Sequence, residues 1–242
     1  MPRFDLTPYR GGVWRFVEDQ NISSTMKLVD GLDEQMMLEE LLDASKPPVP
    51  APCQHLHYLQ FTPFRYAARY ATRFRPQGDR RGVFYAAETV QTAATEVAFY
   101  RALFFIESPE TKAPENPFEM TAFCTKVRSA QALDIGAHFE GAALAAFAHP
   151  TDYAPCHALA EEVRGMNGEV IRFPSARDHA GTNVAVLSCA AFPDSQPRDM
   201  QGWWFRFSEF GLFATQRFGD GRLEFPFEMF ENDPRISAAG RL

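Results

Sequence analysis

The chain has 242 residues, a formal net charge of −7 and 45% hydrophobic residues, 23 of them Phe. This composition predicts a folded chain of one large domain, or one domain with extensions. The acidic balance argues against broad nucleic-acid binding, which needs a basic surface. The sequence contains neither an apolar signal core nor an apolar run of about 20 residues, so we expect a cytoplasmic protein without a membrane span.

The four cysteines, at positions 53, 124, 156 and 189, lie far apart and form no C-x-x-C pair. A disulfide framework in a secreted protein would be denser, so we expect free thiols. Cys53, His55 and His57 alternate, as residues on one face of a strand do. No further group of ligands follows at metal-binding spacing, so we expect no metal site.

Residues 1–52 are interpreted as an N-terminal extension. The apolar spacing over residues 31–44 predicts a short amphipathic helix. The four prolines of residues 46–52 predict an extended linker that ends before the main domain. We expect that domain to span residues 53–195.

Alternating short elements are expected within the main domain. Residues 55–66 predict a strand followed by a turn at Pro63, and residues 82–87 predict a short apolar strand. Thr89 is expected to cap a helix that runs to about Phe105. Further along the chain, the pattern predicts strands within residues 120–135, 169–173 and 183–187 and a helix over residues 151–166.

Residues 196–242 are interpreted as an aromatic, β-rich tail packed on this domain, with an oligomer interface as the alternative. Residues 203–215 resemble a strand, and residues 218–221 predict a hairpin turn with a return strand over residues 222–227. Strands outnumber helices and do not alternate regularly with them. The pattern therefore predicts an α+β fold rather than a doubly wound parallel sheet.

The strongest local feature is the stretch from Arg65 to Arg81, which holds six arginines and one acid, Asp79. The planar guanidinium matches phosphate oxygens in pairs, so an arginine-only cluster points to a pyrophosphate or a similar anion. Interleaved aromatic residues, among them Tyr66 and Tyr85, would suit a nucleotide base or a nicotinamide ring. A solvated loop that pairs with acids elsewhere explains the composition equally well.

Two further features could complete a binding site. Glu96 has small and aromatic neighbours three and four positions away on its helix, which predicts a largely buried carboxylate. Such a group serves function or is neutralised by an ion pair, for instance with Arg101. Ser175 follows an apolar strand, where loops commonly place ligand-binding groups, although an ordinary turn serine is the simpler explanation.

In order and spacing, these features resemble the RES family, which is named for an arginine, a glutamate and a serine. The resemblance covers roughly residues 55–192. The matching segments are Phe64-Arg65-Tyr66, Thr72-Arg73-Phe74-Arg75, residues 82–87, Ala93 to Val97, and Gly168 to Arg177 with Thr182-Asn183. The resemblance implies an α+β, ADP-ribosyltransferase-like fold with mixed or antiparallel sheets and flanking helices.

The resemblance also implies a toxin that degrades NAD by hydrolysis or phosphorolysis and is inhibited by an Xre-like antitoxin. NAD would be its substrate, with no further cofactor. The implied catalytic residues are Glu96, Arg65 and Arg73, and the implied substrate-binding residues are Tyr66, Arg75, Tyr85, Ser175, Arg177 and Asn183. Because the spacing from Arg65 to Arg73 is short, either Arg73 or Arg75 could be the second site arginine.

Two other functions remain open at this point. A mono-ADP-ribosyltransferase would transfer the sugar to a protein target. A non-catalytic module would use the arginine-rich loop to dock an acidic partner. The enzyme hypotheses predict that Arg65, Glu96 and Ser175 lie together. The aromatic tail and the acidic N-terminal helix could each mediate self-association or antitoxin binding.

Overall fold

The computed structural model describes residues 4–18 and 28–237, which form one eight-stranded sheet with helices on its faces. The predicted α+β class is confirmed. The strands are β1 (Thr7–Glu18), β2 (Phe84–Ala87), β3 (Phe118–Asp134), β4 (Val170–Pro174), β5 (Thr182–Val186), β6 (Arg198–Ser208), β7 (Gly211–Gln216) and β8 (Arg222–Pro226). The α-helices are α1 (Leu32–Ser45), α2 (Tyr58–Arg65), α3 (Val90–Glu107), α4 (Ile135–His138), α5 (Gly141–Phe147), α6 (Ala154–Gly165) and α7 (Pro234–Ser237).

The long strand β3 organises the sheet. The strands follow the order β1-β2-β5-β4-β3-β6-β7-β8, and β3 also pairs with β1. The first five strands therefore close into a ring, from which β6, β7 and β8 extend. Strands β3 and β4 are parallel, and the other pairs are antiparallel. This mixed sheet agrees with the predicted fold class.

Helix α3 packs closely on the sheet through small side chains. Ala94, Ala98 and Ala102 are spaced four residues apart and are fully buried. This spacing puts them on one face of the helix, and their size lets the helix backbone approach the strands. The predicted Thr89 cap is confirmed, because the Thr89 side chain accepts a hydrogen bond from the Thr92 amide. The packing fixes the helix face that carries Glu96.

The strand predicted over residues 55–66 is wrong, because α2 occupies this segment. His57 accepts a hydrogen bond from the Leu59 amide, and the Gln60 side chain accepts one from the His57 amide. This reciprocal cap starts a helix despite Pro63. Gln60 is also fully buried and donates to Thr125 Oγ1 at 2.8 Å, which holds the short helix against β3.

The prediction of four free cysteines is also wrong. Cys53 and Cys189 form a disulfide, with their Cα atoms 5.4 Å apart, whereas Cys124 and Cys156 are free. The two bonded cysteines are separated by 136 positions, so their proximity depends on the tertiary fold. Cysteine spacing along the chain cannot reveal such a pair.

The sheet crosses both predicted domain boundaries. Strand β1 comes from the segment interpreted as an extension, and β6, β7 and β8 come from the segment interpreted as a tail. The helix predicted over residues 31–44 is confirmed as α1, which buries none of its residues. The hairpin predicted at residues 218–221 is confirmed between β7 and β8. No helix in the described ranges is both long and apolar enough to cross a membrane.

Candidate active site

A cleft of about 720 Å³ opens between one face of α3 and the strands beside it. Its volume lies in the range of small-molecule sites. The α3 residues that line it recur every three to four positions, and so form one stripe along the helix: Ala93, Glu96, Val97, Tyr100, Arg101 and Phe104. The opposite wall includes Trp14 and Arg15 of β1 and Tyr85 of β2. The cleft is therefore apolar and aromatic, with a few charged groups.

Glu96 is the carboxylate at the centre of this arrangement. Its Oε1 atom accepts hydrogen bonds from Ser175 Oγ at 2.7 Å and from Asn183 Nδ2 at 2.6 Å. Both donors are buried and neutral. Among the described residues, Oε2 has no hydrogen-bond donor. The carboxylate is therefore fixed through one oxygen while the other remains available to a bound molecule.

The turn that carries Ser175 is braced against the start of α3. Ser175 Oγ accepts hydrogen bonds from the amides of Arg177 and Asp178, both at 3.1 Å, while its own proton goes to Glu96. Asp178 accepts a hydrogen bond from Thr92 Oγ1 at 2.7 Å. A Cβ atom at Gly181 would lie 2.6 Å from that same hydroxyl oxygen, so the close approach requires glycine. Ser175 thus positions the carboxylate and is not free to act as a nucleophile.

Arg73 and Tyr85 also line the cleft. One guanidinium nitrogen of Arg73 donates to the carbonyl oxygens of Phe147 at 2.6 Å and His149 at 3.0 Å. The Tyr85 hydroxyl accepts a hydrogen bond from the Phe74 amide at 2.9 Å and shares another with Thr72 Oγ1. Burial raises the pKa of Tyr85 to about 12, so this hydroxyl is neutral near pH 7. It holds the segment that carries Arg73.

Arg177 also lines the cleft, although its side chain is almost fully buried. The guanidinium donates to Asp233 at 2.8 Å and lies 3.7 Å above the Phe99 ring. It also donates to the Pro150 carbonyl oxygen at 3.1 Å. Arg177 therefore connects the Ser175 turn to the C-terminal segment.

Besides Ser175, which contacts the cleft residue Glu96 without lining the cleft itself, three of the residues implied by the resemblance lie outside the cleft. Arg65 binds the Pro47 carbonyl oxygen and lies 3.7 Å from an oxygen of Asp43. Arg75 donates to the carbonyl oxygens of Tyr66 and Asp79, and the Tyr66 side chain is exposed. The expected meeting of Arg65, Glu96 and Ser175 thus occurs for the last two only. Of Arg73 and Arg75, only Arg73 lies where it could contact a bound molecule.

Sequence reasoning missed Arg15, which lies in the middle of β1. One of its terminal nitrogens donates to the Tyr85 carbonyl oxygen at 2.9 Å, and its Nε atom is buried without a partner among the described residues. Burial lowers the pKa of Arg15 to about 10, which still leaves the group charged near pH 7. The available signal was a lone arginine between the apolar residues Val13, Trp14 and Phe16.

The family model of the RES domain matches residues 49–208, about two thirds of the chain. The chain belongs to the RES domain family. The family match begins after α1 and ends with β6, so both Arg15 and Asp233 lie outside it. No curated protein sequence matches the chain.

One similar solved structure is the crystal structure of the M. tuberculosis MbcT–MbcA toxin–antitoxin complex. It shares 13% sequence identity with this RES-domain chain and has a TM-score of 0.46, over 81% of this chain and 85% of that chain. Within the described residues of this chain, no group of three or more His, Cys, Asp or Glu side chains is arranged to hold a metal ion.

Proposed function

We propose that this RES-domain protein cleaves the nicotinamide–ribose bond of NAD, with Glu96 as the catalytic carboxylate. The observation that carries the proposal is the geometry of Glu96. One oxygen is held by Ser175 and Asn183, and the other has no donor among the described residues and belongs to a side chain that lines the cleft. Membership of the RES family supports the choice of NAD.

The chemistry of this bond needs such a carboxylate. When the C–N bond breaks, its electron pair leaves with nicotinamide as a neutral group, and positive charge develops on the ribose ring. A fixed carboxylate stabilises that charge or accepts hydrogen bonds from the ribose hydroxyls. Because nicotinamide leaves without needing a proton, no strong general acid is required. Oxygen of the acceptor then bonds to the ribose carbon, and attack by water releases one proton.

Arg15 and Arg73 are the groups that we propose for the pyrophosphate. Both side chains line the cleft. A guanidinium in a partly dry cleft binds a phosphate oxygen more strongly than one in water, because fewer water molecules compete. Tyr85 and Trp14 present aromatic surface on the same wall, which suits a planar ring.

Product analysis tests the proposal and identifies the acceptor. Purified protein is incubated with NAD, with and without inorganic phosphate, and free nicotinamide is measured. Hydrolysis yields ADP-ribose, and phosphorolysis yields phosphorylated ADP-ribose. With labelled NAD, a mono-ADP-ribosyltransferase would instead leave label on a protein. If no nicotinamide is released with any acceptor, the NAD-cleaving function is contradicted and a non-catalytic partner-binding module becomes the better account.

We further propose that the activity is that of a cytoplasmic toxin inhibited by an Xre-like antitoxin. Helix α1 offers a surface for such a partner, because its apolar side chains Leu32, Met36, Met37, Leu41 and Leu42 are exposed. Expression alone should lower cellular NAD and slow growth, and co-expression of the neighbouring gene should restore both. Growth and NAD levels that do not respond to expression would contradict the toxin assignment.

Thiol labelling tests the cytoplasmic location. Disulfides rarely persist in the reducing cytosol. In a cytoplasmic protein the disulfide between Cys53 and Cys189 would therefore be reduced in the cell, so protein taken from intact cells and denatured in alkylating reagent should label at both of these cysteines as well as at Cys124 and Cys156. If Cys53 and Cys189 remain protected, the protein has matured in an oxidising compartment.

A further inference from the structure

The C-terminal segment outside the RES match contributes a buried carboxylate that pairs with the cleft residue Arg177. Asp233 is almost completely buried, and its side chain contacts two guanidiniums. Arg177 lies 2.8 Å and Arg235 lies 2.7 Å from its Oδ2 atom. A buried carboxylate is costly unless it is paired and hydrogen-bonded, and Asp233 satisfies both conditions.

Asp233 is connected to the catalytic carboxylate through very few contacts. Its partner Arg177 belongs to the turn in which the Arg177 amide donates to Ser175 Oγ. Ser175 Oγ in turn donates to Glu96. On the other side, the Arg177 guanidinium lies over Phe99, which is one helical turn after Glu96 on α3. Arg177 is thus held between the C-terminal segment and the helix that carries Glu96.

The charges of Asp233, Arg177 and Arg235 strengthen the contact between the C-terminal segment and the Ser175 turn. By itself, burial would raise the pKa of Asp233, but hydrogen bonds from Arg235 and the positive charges of Arg177 and Arg235 lower the pKa below its usual range. Two guanidiniums against one carboxylate leave a net positive charge behind the cleft wall. Loss of the Asp233 charge would leave both guanidiniums without a carboxylate partner, and Arg177 would then have to move or recruit water.

From these contacts we infer that Asp233 is a positioning residue for the proposed NAD cleavage, acting through Arg177 on the turn that orients Glu96. The inference rests on the proposed function for its kinetic consequence only. The structural consequence, an ordered turn over residues 174–181, is independent of the substrate. The C-terminal segment is then a part of the active site that lies outside the matched family region.

Kinetics and hydrogen exchange together test this role. Asp233→Asn should lower kcat by about 10-fold to 100-fold, which is the range expected when a reacting group shifts by up to about 1 Å. KM should change much less, because the substrate contacts of Arg15 and Arg73 remain. Backbone amide hydrogens of residues 174–181 should exchange faster than in wild type. The increase should exceed what the overall loss of stability of the variant explains. Glu231→Gln, an exposed carboxylate in the same segment, is the control and should match wild type.

A milder variant covers the case in which Asp233→Asn does not fold. Asp233→Glu keeps the charge but displaces it by one methylene, so it should fold and still lower kcat and loosen the turn. In addition, Asp233→Glu should have little further effect on kcat in an Arg177→Gln background, because the path through Arg177 is already lost. Additive effects in that background would overturn the inference.

The two failures are distinguishable. If the wild-type protein releases no nicotinamide, the proposed function fails, and the exchange measurement still decides whether Asp233 orders the turn. If wild type cleaves NAD but folded Asp233→Glu matches it in kcat and in exchange over residues 174–181, the proposed function stands and the positioning role is wrong.

Discussion

The arginine-rich stretch over residues 65–81 was the strongest local feature of the sequence and Glu96 a further one, but in the fold it is around Glu96 that the donors converge. Around Glu96, donors from β5 and from the turn after β4 converge on one carboxylate oxygen. Along the arginine-rich stretch, the guanidiniums diverge, and Arg73 is the one that lines the cleft. A dense cluster of one residue type therefore indicated the neighbourhood of the site but not its members.

The divergence has a physical reason. An irregular segment leaves backbone carbonyl oxygens unpaired, and arginine, with five N–H donors, is well suited to satisfy them. Arg65 and Arg75 donate to backbone carbonyl oxygens in this way. Arg81 pairs with Asp79 and Glu161. Arg75 and Arg81 thus stabilise their own loop. Arg65 and Arg81 also pair with acids elsewhere in the chain, which is the structural explanation that composition had left open.

The largest expected effect is at Glu96. Glu96→Gln keeps the size and hydrogen-bonding capacity of the side chain but removes its charge, so NAD cleavage should fall by about 10³-fold, as for other preorganised electrostatic groups. The measurement is the rate of nicotinamide release by folded protein. Glu107→Gln, on the exposed end of the same helix, is the matched control. Equal rates for Glu96→Gln and wild type would remove Glu96 from the mechanism.

The donors to Glu96 should have the next largest effect. Ser175→Ala and Asn183→Ala each remove one hydrogen bond to the carboxylate, which is worth about 1.5–3 kcal/mol and corresponds to about 10-fold to 100-fold in kcat. The double variant should lose less than the product of the two single losses, since both donors act on one oxygen. A Ser175→Ala protein with no residual activity would instead indicate a direct chemical role for the hydroxyl.

Arg15 should affect binding more than chemistry. Arg15→Gln removes a charge that we assign to the pyrophosphate, so KM should rise by about 10-fold, with a smaller change in kcat. Steady-state kinetics at varied NAD measures both constants. An unchanged KM in a folded variant would mean that Arg15 does not contact the substrate.

Lowering the pH should weaken the ion pairs of Asp233, and with them the turn that orients Glu96. The pKa of Asp233 is lower in the folded protein than in the unfolded chain, so its ion pairs stabilise the fold fully above about pH 4. That stability is lost as the pH falls through the lowered folded-state pKa. Urea denaturation at decreasing pH should therefore show a shallower loss of stability for Asp233→Asn than for wild type. If the free energy of unfolding falls with pH equally in both proteins, the pKa of Asp233 does not differ between the folded and unfolded states.

The smallest expected effect is at Arg65. Arg65→Gln should leave kcat and KM within about twofold of wild type, because the side chain contacts Pro47 and Asp43 outside the cleft. The same nicotinamide assay measures it, and Arg73→Gln is the contrasting variant from the same stretch. If Arg65→Gln lowers activity as much as Arg73→Gln does, Arg65 regains the catalytic role implied by the family resemblance.

Local signals predicted the elements that carry the Glu96 group. Thr89 before an alanine-rich run predicted α3, and short apolar runs predicted β4 and β5. Glu96 and Ser175 were singled out from these local patterns, and Asn183 only through the family resemblance. Helix α2 was mispredicted, because a reciprocal cap and the buried contacts of Gln60 outweighed the signals for a strand and a turn at Pro63.

Long-range contacts account for what the sequence did not reveal. Arg15 enters the cleft because β1 pairs with both β2 and β3, and no local pattern specifies those partners. Asp233 meets Arg177 for a similar reason, since the chain returns to the cleft after β8. The disulfide between Cys53 and Cys189 likewise joins two short segments that are remote in sequence.

The most direct test of the central claim is a crystal structure of Glu96→Gln with NAD bound. The account predicts that the nicotinamide-bearing ribose lies within hydrogen-bond distance of residue 96, with the pyrophosphate near Arg15 and Arg73. NAD bound instead on the exposed arginine-rich face near Tyr66 and Arg69, away from residue 96, would contradict it.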